Sequence, residues 1–157
     1  MDMTTTAPAR KLPDIPALYG RFEARLLSFD WLKGLSLLAI RIWLAQFFFF
    51  SGLTKLRSWP TTIALFTDEY HVPVLPPEIA ALLSATAELS LPVLLVLGLF
   101  SRFAAAGLFC MTLVIELFVY PGTTENYYIM LLTGALIANG SGMFGADHWL
   151  VKIKPSR

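Results

Sequence analysis

The chain has 157 residues, 56% of them hydrophobic and 15% charged, and its mean hydropathy is +0.64. Twelve Lys and Arg against eleven Asp and Glu leave a formal charge of +1, and there is one cysteine. This composition lies outside the ordinary soluble class and excludes an intramolecular disulfide and cysteine-built zinc or iron–sulfur centres; no nucleic-acid partner is expected.

Residues 1–33 form the first region, a cytoplasmic tail and an interfacial helix. Met1 to Pro16 is rich in Thr, Ala and Pro and without periodicity, which predicts a flexible tail. From Ala17 to Leu32, Leu18, Phe22, Leu26 and Phe29 recur at helical spacing while Arg21, Glu23, Arg25, Ser28 and Asp30 take other faces. That pattern suits an amphipathic helix on the membrane surface or an ordinary solvated lead-in helix. No apolar stretch of signal-peptide length precedes Lys33, so the first span is expected to act as the insertion signal.

Four apolar windows follow: Leu35 to Leu53, Ile79 to Phe100, Phe103 to Tyr120 and Tyr127 to Phe144. Each approaches the roughly 20 residues of a spanning helix, so an all-α, four-helix transmembrane bundle is expected, with no room for a soluble catalytic domain. Arg10, Lys11, Arg21, Arg25, Lys33, Arg102, Lys152, Lys154 and Arg157 fall on one side of these spans, and only Lys55 and Arg57 on the other. The positive-inside rule then places both termini in the cytoplasm of a cell with this protein in its inner membrane.

Between the first two spans, Thr54 to Glu78 contains Trp59-Pro60, then Ile63, Phe66 and Tyr70 at helical spacing, then Pro73, Pro76 and Pro77. This predicts a short helix on the outer surface. Trp31, Trp59, Tyr70, Tyr120, Tyr127 and Trp149 lie near span ends, where aromatic side chains anchor at the headgroup level. The remaining links are a tight hairpin at Gly98, Ser101 and Arg102 and an outer turn at Pro121 to Glu125; residues 151–157 form a basic cytoplasmic tail.

Three ionisable residues lie inside these windows: Arg41, Glu88 and Glu116, with Asn139 in the comparable place of the fourth. A charge at the bilayer centre costs roughly 3 kcal/mol on insertion scales, so such residues normally face the bundle interior and mark function. Arg41, Ala45, Phe48, Gly52 and Lys55 share one helix face, and the small residues admit a neighbouring backbone. At 1.5 Å per residue, Arg41 lies about 10 Å from the cytoplasmic end of its span and Glu88 about 14 Å from the outer end of its own, in a core about 30 Å thick. An Arg41–Glu88 ion pair is therefore expected, with Glu116 at similar depth as a second carboxylate that one arginine does not hold ionised. The cluster, with Lys55 and Asn139 as further candidates, either locks helix packing or handles protons and binds a quinone headgroup.

Pro92 frees the Glu88 carbonyl, which predicts a kink and a hydrated cavity beside it. Asn139, among Gly134, Gly140 and Gly142, reads as interhelical glue. Cys110 reads as a buried structural thiol, and neither His71 nor His148 has a second histidine at metal spacing, so no metal site is expected. No flavin, haem or iron–sulfur motif is present; whether the chain is itself an enzyme stays open.

The runs RIWLAQFFFFSGLTKL (Arg41 to Leu56), ATAELSLPVLLVLGLFSR (Ala85 to Arg102) and GSGMFGADHWL (Gly140 to Leu150) resemble the DoxX family across about residues 34–150. The matching positions are Arg41, Gly52, Lys55, Glu88, Gly98, Arg102 and Asp147. Leu65 to Pro77 and FVYPG at Phe118 to Gly122 look closer to DoxX-like proteins encoded with small copper-binding modified peptides, the HvfX or bufferin-associated group. Such relatives carry Glu-His where this chain has Glu125-Asn126, which removes a metal ligand or proton carrier. The resemblance implies a four-helix inner-membrane protein that works with a protein partner. That partner is either a quinone-linked or stress-defence redox system, with quinone as the non-covalent cofactor, or a small secreted copper-binding peptide whose maturation, export or retention the chain assists through its outer loop.

Overall fold

The computed structural model describes residues 16, 19, 20, 23, 30–70 and 75–153, with side chains described as far as Trp149, and it divides into the units Met1–Asp30 and Trp31–Arg157. In the first unit Pro16, Tyr19, Gly20 and Glu23 are helical and exposed. The Leu18, Phe22, Leu26 and Phe29 stripe lies outside the described residues, as do His71, Pro73 and Lys154.

From Asp30 onward the described residues form six α-helices, and no described residue lies in a strand. They are α1 (Asp30–Arg57), α2 (Trp59–Asp68), α3 (Pro77–Leu97), α4 (Ser101–Val114), α5 (Thr124–Asn139) and α6 (Ala146–Ile153). A π-helical turn, Ile115–Val119, extends α4. The helices Asp30–Arg57, Pro77–Leu97 and Ser101–Val119 are long and apolar enough to cross a membrane. The fourth apolar window is realised differently: α5 has 16 residues, about 24 Å of helix, and ends at Asn139. Gly140 and Gly142, with φ of 74° and 68°, then turn the chain into α6. Ser141 to Phe144, expected to be helical, belong to that turn because Gly140 accepts a left-handed φ that an α-helix does not contain.

The long helices follow from uninterrupted apolar sequence, with Asp30 in the first turn of α1 and Lys55 and Arg57 in its last, matching its dipole. One face of α1 is buried through Gly34, Leu37, Arg41, Leu44, Ala45, Phe48 and Gly52, the 3–4 spacing of a packing stripe. Leu37, Leu44 and Phe48 join Leu95, Ala104, Ala105, Leu108, Ile129 and Leu136 in one core. The opposite faces carry exposed Ile42, Trp43, Phe47, Phe50, Leu82, Leu83, Leu113 and Leu131, the surface a bilayer solvates. Hydroxyls inside the spans bond back one turn, as in Thr86 to Leu82 O at 2.7 Å, Ser90 to Thr86 O at 2.7 Å and Thr112 to Leu108 O at 2.8 Å. No hydroxyl in these three pairs then faces the apolar layer unpaired.

The expected short helix between the first two spans is present as α2, opened by Pro60 and tied to α1 by the Thr62 hydroxyl donating to Lys55 O at 2.9 Å. Its Phe66 packs on Ala80 and Ala81 of α3, with Trp59 and Tyr70 alongside. Trp59 and Tyr70 are thus partly packed, whereas Trp31, Tyr120, Tyr127 and Trp149 are exposed like headgroup anchors. Pro92 is buried inside α3, which continues through it to Leu97.

Candidate functional site: a charged cavity opposite an arginine-capped end

Residue geometry separates the expected polar centre into two ends. Arg41 does not meet Glu88. Its Nε donates to Leu95 O at 2.6 Å, its Nη2 to Val96 O at 2.7 Å and its Nη1 to Ser141 O at 2.9 Å. The last carbonyls of a helix have no intrahelical donor, and α3 ends with Gly98 in the left-handed region, Gly98 N donating to Leu95 O and Leu99 N to Leu94 O. That is a Schellman ending, and the guanidinium completes it while tying in the turn after α5. A Cβ on Gly98 would lie 2.6 Å from Arg41 Nη2 and 2.5 Å from Gly145 Cα, so this glycine is required twice, by its φ of 69° and by space.

Asp147 acts at the same end. Its carboxylate accepts Phe100 N at 2.8 Å and Ser101 N at 2.9 Å, and its own N–H donates to Gly98 O at 2.9 Å. It caps the start of α4 from α6. Arg102 is exposed and lies beside Gly140. The motif positions Arg41, Gly98 and Asp147 therefore fasten together the end of α3, the start of α4 and the turn after α5.

The partner of Glu88 is Lys55, whose Nζ lies 2.7 Å from both carboxylate oxygens and 3.1 Å from Ser51 Oγ. Ser84 Oγ adds a 3.3 Å bond to Glu88 Oε1. The direction of helical side chains explains the changed pairing, since each leans toward the N-terminus of its own helix. In the antiparallel pair α1 and α3, Arg41 and Glu88 lean apart, whereas Lys55 and Glu88 lean together. Gly52 permits the approach, because a Cβ there would stand 2.9 Å from Leu89 Cγ and 3.1 Å from Glu88 Cβ.

Glu116 belongs to the Lys55 end but not to the ion pair. Its Oε1 accepts Gly122 N at 2.7 Å and its Oε2 accepts Asn126 Nδ2 at 2.9 Å. It sits in the π-helical turn, an irregularity common at functional sites, and fixes the turn that leads into α5. Asn139, expected to contact another helix, is exposed and donates to Ala135 O of its own helix at 2.9 Å. Cys110, expected to be buried, is exposed.

A cavity of about 550 Å³ opens beside the ion pair. Its polar lining includes Lys55, Glu88, Ser51, Ser84, Tyr70 and Asn126, with Tyr120, Thr123 and Glu125 also present, within walls that include Phe47, Phe66, Leu83, Met111, Val114 and Cys110. The Glu88 side chain is 3% exposed and that of Lys55 18%. Tyr70 and Tyr120, both in the lining, meet edge to face at 5.9 Å, and Tyr120 Oη donates to Glu69 Oε1 at 2.6 Å. A cavity beside Glu88 is thus present, although Pro92, from which it was expected, lines a separate, largely apolar groove with Ile42, Ala45, Gln46, Phe49 and Val96.

This arrangement can hold a molecule with an apolar body and a head that hydrogen-bonds to an ammonium, a carboxylate and hydroxyls. No group of three or more His, Cys, Asp or Glu among the described residues is disposed to hold a metal ion. Sequence reading missed Ser51, Ser84 and Asn126; the spacing Ser51–Lys55 and Ser84–Glu88, one helical turn in each case, was the available signal.

The chain is 30% identical to an uncharacterized protein of Haemophilus influenzae over 140 residues, covering 80% of this chain and 89% of that relative. No solved structure matches. The DoxX family model matches residues 36–121, the segment that contains Arg41, Lys55, Glu88, Glu116 and the cavity walls from α1 to α4. The chain is therefore an integral membrane protein that belongs to the DoxX family.

Proposed function

We propose that this protein is an accessory subunit of a quinone-linked membrane system and that the cavity at Lys55 and Glu88 receives the quinone headgroup. The observation that carries this reading is one buried ion pair set in an otherwise largely apolar cavity of about 550 Å³, within the 300–1,000 Å³ usual for small-molecule sites. A quinone exchanges electrons together with protons. Lys55 and the Ser51 and Ser84 hydroxyls suit a carbonyl oxygen, Glu88 suits a proton, and the aromatic walls suit the ring. Redox centres belong to a partner, since the chain carries no motif for one.

The same reading places the protein in the inner membrane with α5 and the turn after it as a fourth crossing and both termini in the cytoplasm. The nine Lys and Arg assigned to one side support this. The cavity then lies in the outer half of the bilayer, under α2.

Full-length protein in quinone-free nanodiscs, titrated with a short-chain ubiquinone, tests the proposal. Saturable binding that falls at least tenfold in Glu88→Gln, with unchanged helicity and insertion, is expected. Absence of binding, or equal binding by Glu88→Gln, overturns it.

A further inference from the structure

Gln46 presents a problem that the cavity does not solve. It lies within the apolar stretch 35–53, about 10 Å or more from either end, yet it is exposed. Its amide makes no hydrogen bond with the described residues. An amide facing hydrocarbon without a partner is costly, and in membranes such groups bond across helix interfaces. Gln46 also stands in a shallow groove of about 380 Å³ between α1 and α3 that shares no residue with the cavity.

The groove has the form of a helix seat. Ile42, Ala45, Gln46 and Phe49 contribute from α1 at the spacing i, i+3, i+4, i+7, and Pro92, Val93, Val96 and Leu97 from α3. Ala45 and Pro92 form a low floor, since both are buried, while Ile42, Val93, Val96 and Leu97 are 46–55% exposed. Small residues in the floor with larger ones at the rim allow a second helix to approach closely.

We infer that this groove is a homodimer interface in which α1 packs on α1 of a second copy and the two Gln46 amides hydrogen-bond to each other. Three features select a second copy as the occupant. Copies inserted by one mechanism share an orientation, so a two-fold axis along the membrane normal brings each residue to its own depth in the partner. An amide is both donor and acceptor, so a Gln46 pair is self-complementary, as an isologous contact requires. The α1 stripe that walls the groove is also the ridge that would fill it, which permits one surface to serve both subunits. Lipid tails satisfy none of these amide bonds.

The test uses the full chain with Cys110→Ser as background. Oxidative cross-linking in native membranes compares Gln46→Cys with Leu131→Cys, a site on α5 that is 71% exposed. A disulfide-linked dimer through position 46 and none through position 131 is expected. In parallel, photobleaching step counts in liposomes at falling protein density give the association constant. Gln46→Leu is expected to lower it roughly threefold to thirtyfold, the range for interhelical hydrogen bonds in membranes, while Gln46→Asn stays nearer the parent. Since Gln46 is exposed, Gln46→Leu leaves the packed core untouched. Equal cross-linking at both positions, cross-linking of position 46 only to a different protein, or unchanged association in Gln46→Leu overturns the inference.

Discussion

At the Arg41 end a guanidinium with no exposure is held by three backbone carbonyls and no carboxylate. At the Lys55 end an 18% exposed ammonium and a buried carboxylate meet on the wall of a cavity. Both ends bury charge, yet only the second leaves charge beside space that a ligand can enter. Arginine suits the first task because its planar fork satisfies several acceptors and keeps its proton. Lysine and glutamate suit the second, since both exchange protons and lysine can withdraw along its flexible stem.

This contrast predicts different consequences of mutation at each end. The largest effect is expected from Arg41→Met, which strands the carbonyls of Val96 and Ser141 in an apolar layer and leaves Leu95 O with the Gly98 N–H alone. A loss of about 3 kcal/mol or more follows from charge-assisted bonds of 1.5–3 kcal/mol each, read as a lower unfolding midpoint in mixed micelles. Quinone binding should disappear only together with the fold. A stable Arg41→Met protein with selective loss of binding would break the assignment of this end to fastening.

Lys55→Met should cost less, about 2 kcal/mol, because one ion pair is lost and Glu88 keeps its bond to Ser84. The informative variant is the exchange Lys55→Glu with Glu88→Lys. Since both side chains still lean toward each other, the exchange should recover stability lost in either single variant while ligand affinity stays low in nanodisc titrations. Recovery of affinity along with stability would show that the pair serves packing alone.

Asp147→Ala removes the acceptor of Phe100 N and Ser101 N and should cost about 1 kcal/mol, seen as a modest fall in thermal midpoint with ligand affinity unchanged. The smallest change in stability is expected from Tyr120→Phe, below about 1 kcal/mol for a hydrogen bond between exposed groups. Its signature is kinetic, a faster ligand dissociation rate, because the bond to Glu69 holds Tyr120 in the cavity lining. Equal dissociation rates in the parent and Tyr120→Phe would remove Tyr120 from the path of entry.

Much of this molecule was legible in hydropathy and spacing. Three long helices appear within a few residues of their apolar windows, α2 follows the Trp59-Pro60 start, and Gly52 proves to be the point of close approach. Arg41, Glu88 and Glu116 are all buried as expected of charges inside spans. The fourth window misled because Ser141 to Phe144 are apolar enough to extend a span, while Gly140 and Gly142 bend the backbone away from helix. Asn139 misled for a related reason, since glycines around it suggested a close helix contact, while near the helix end its side chain bonds to its own turn.

The chain by itself determined an all-helical membrane protein with charged side chains turned inward, because apolar length and the cost of unpaired charge are local properties of the sequence. Partner choice belonged to the tertiary structure. Depth counted along Cα atoms brings Arg41 and Glu88 together, but opposed helix directions tilt one side chain toward Leu95 and Val96 and the other toward Lys55. Only the packed bundle decides which neighbours lie at the ends of those side chains, and so which buried charge fastens the fold and which one faces a cavity.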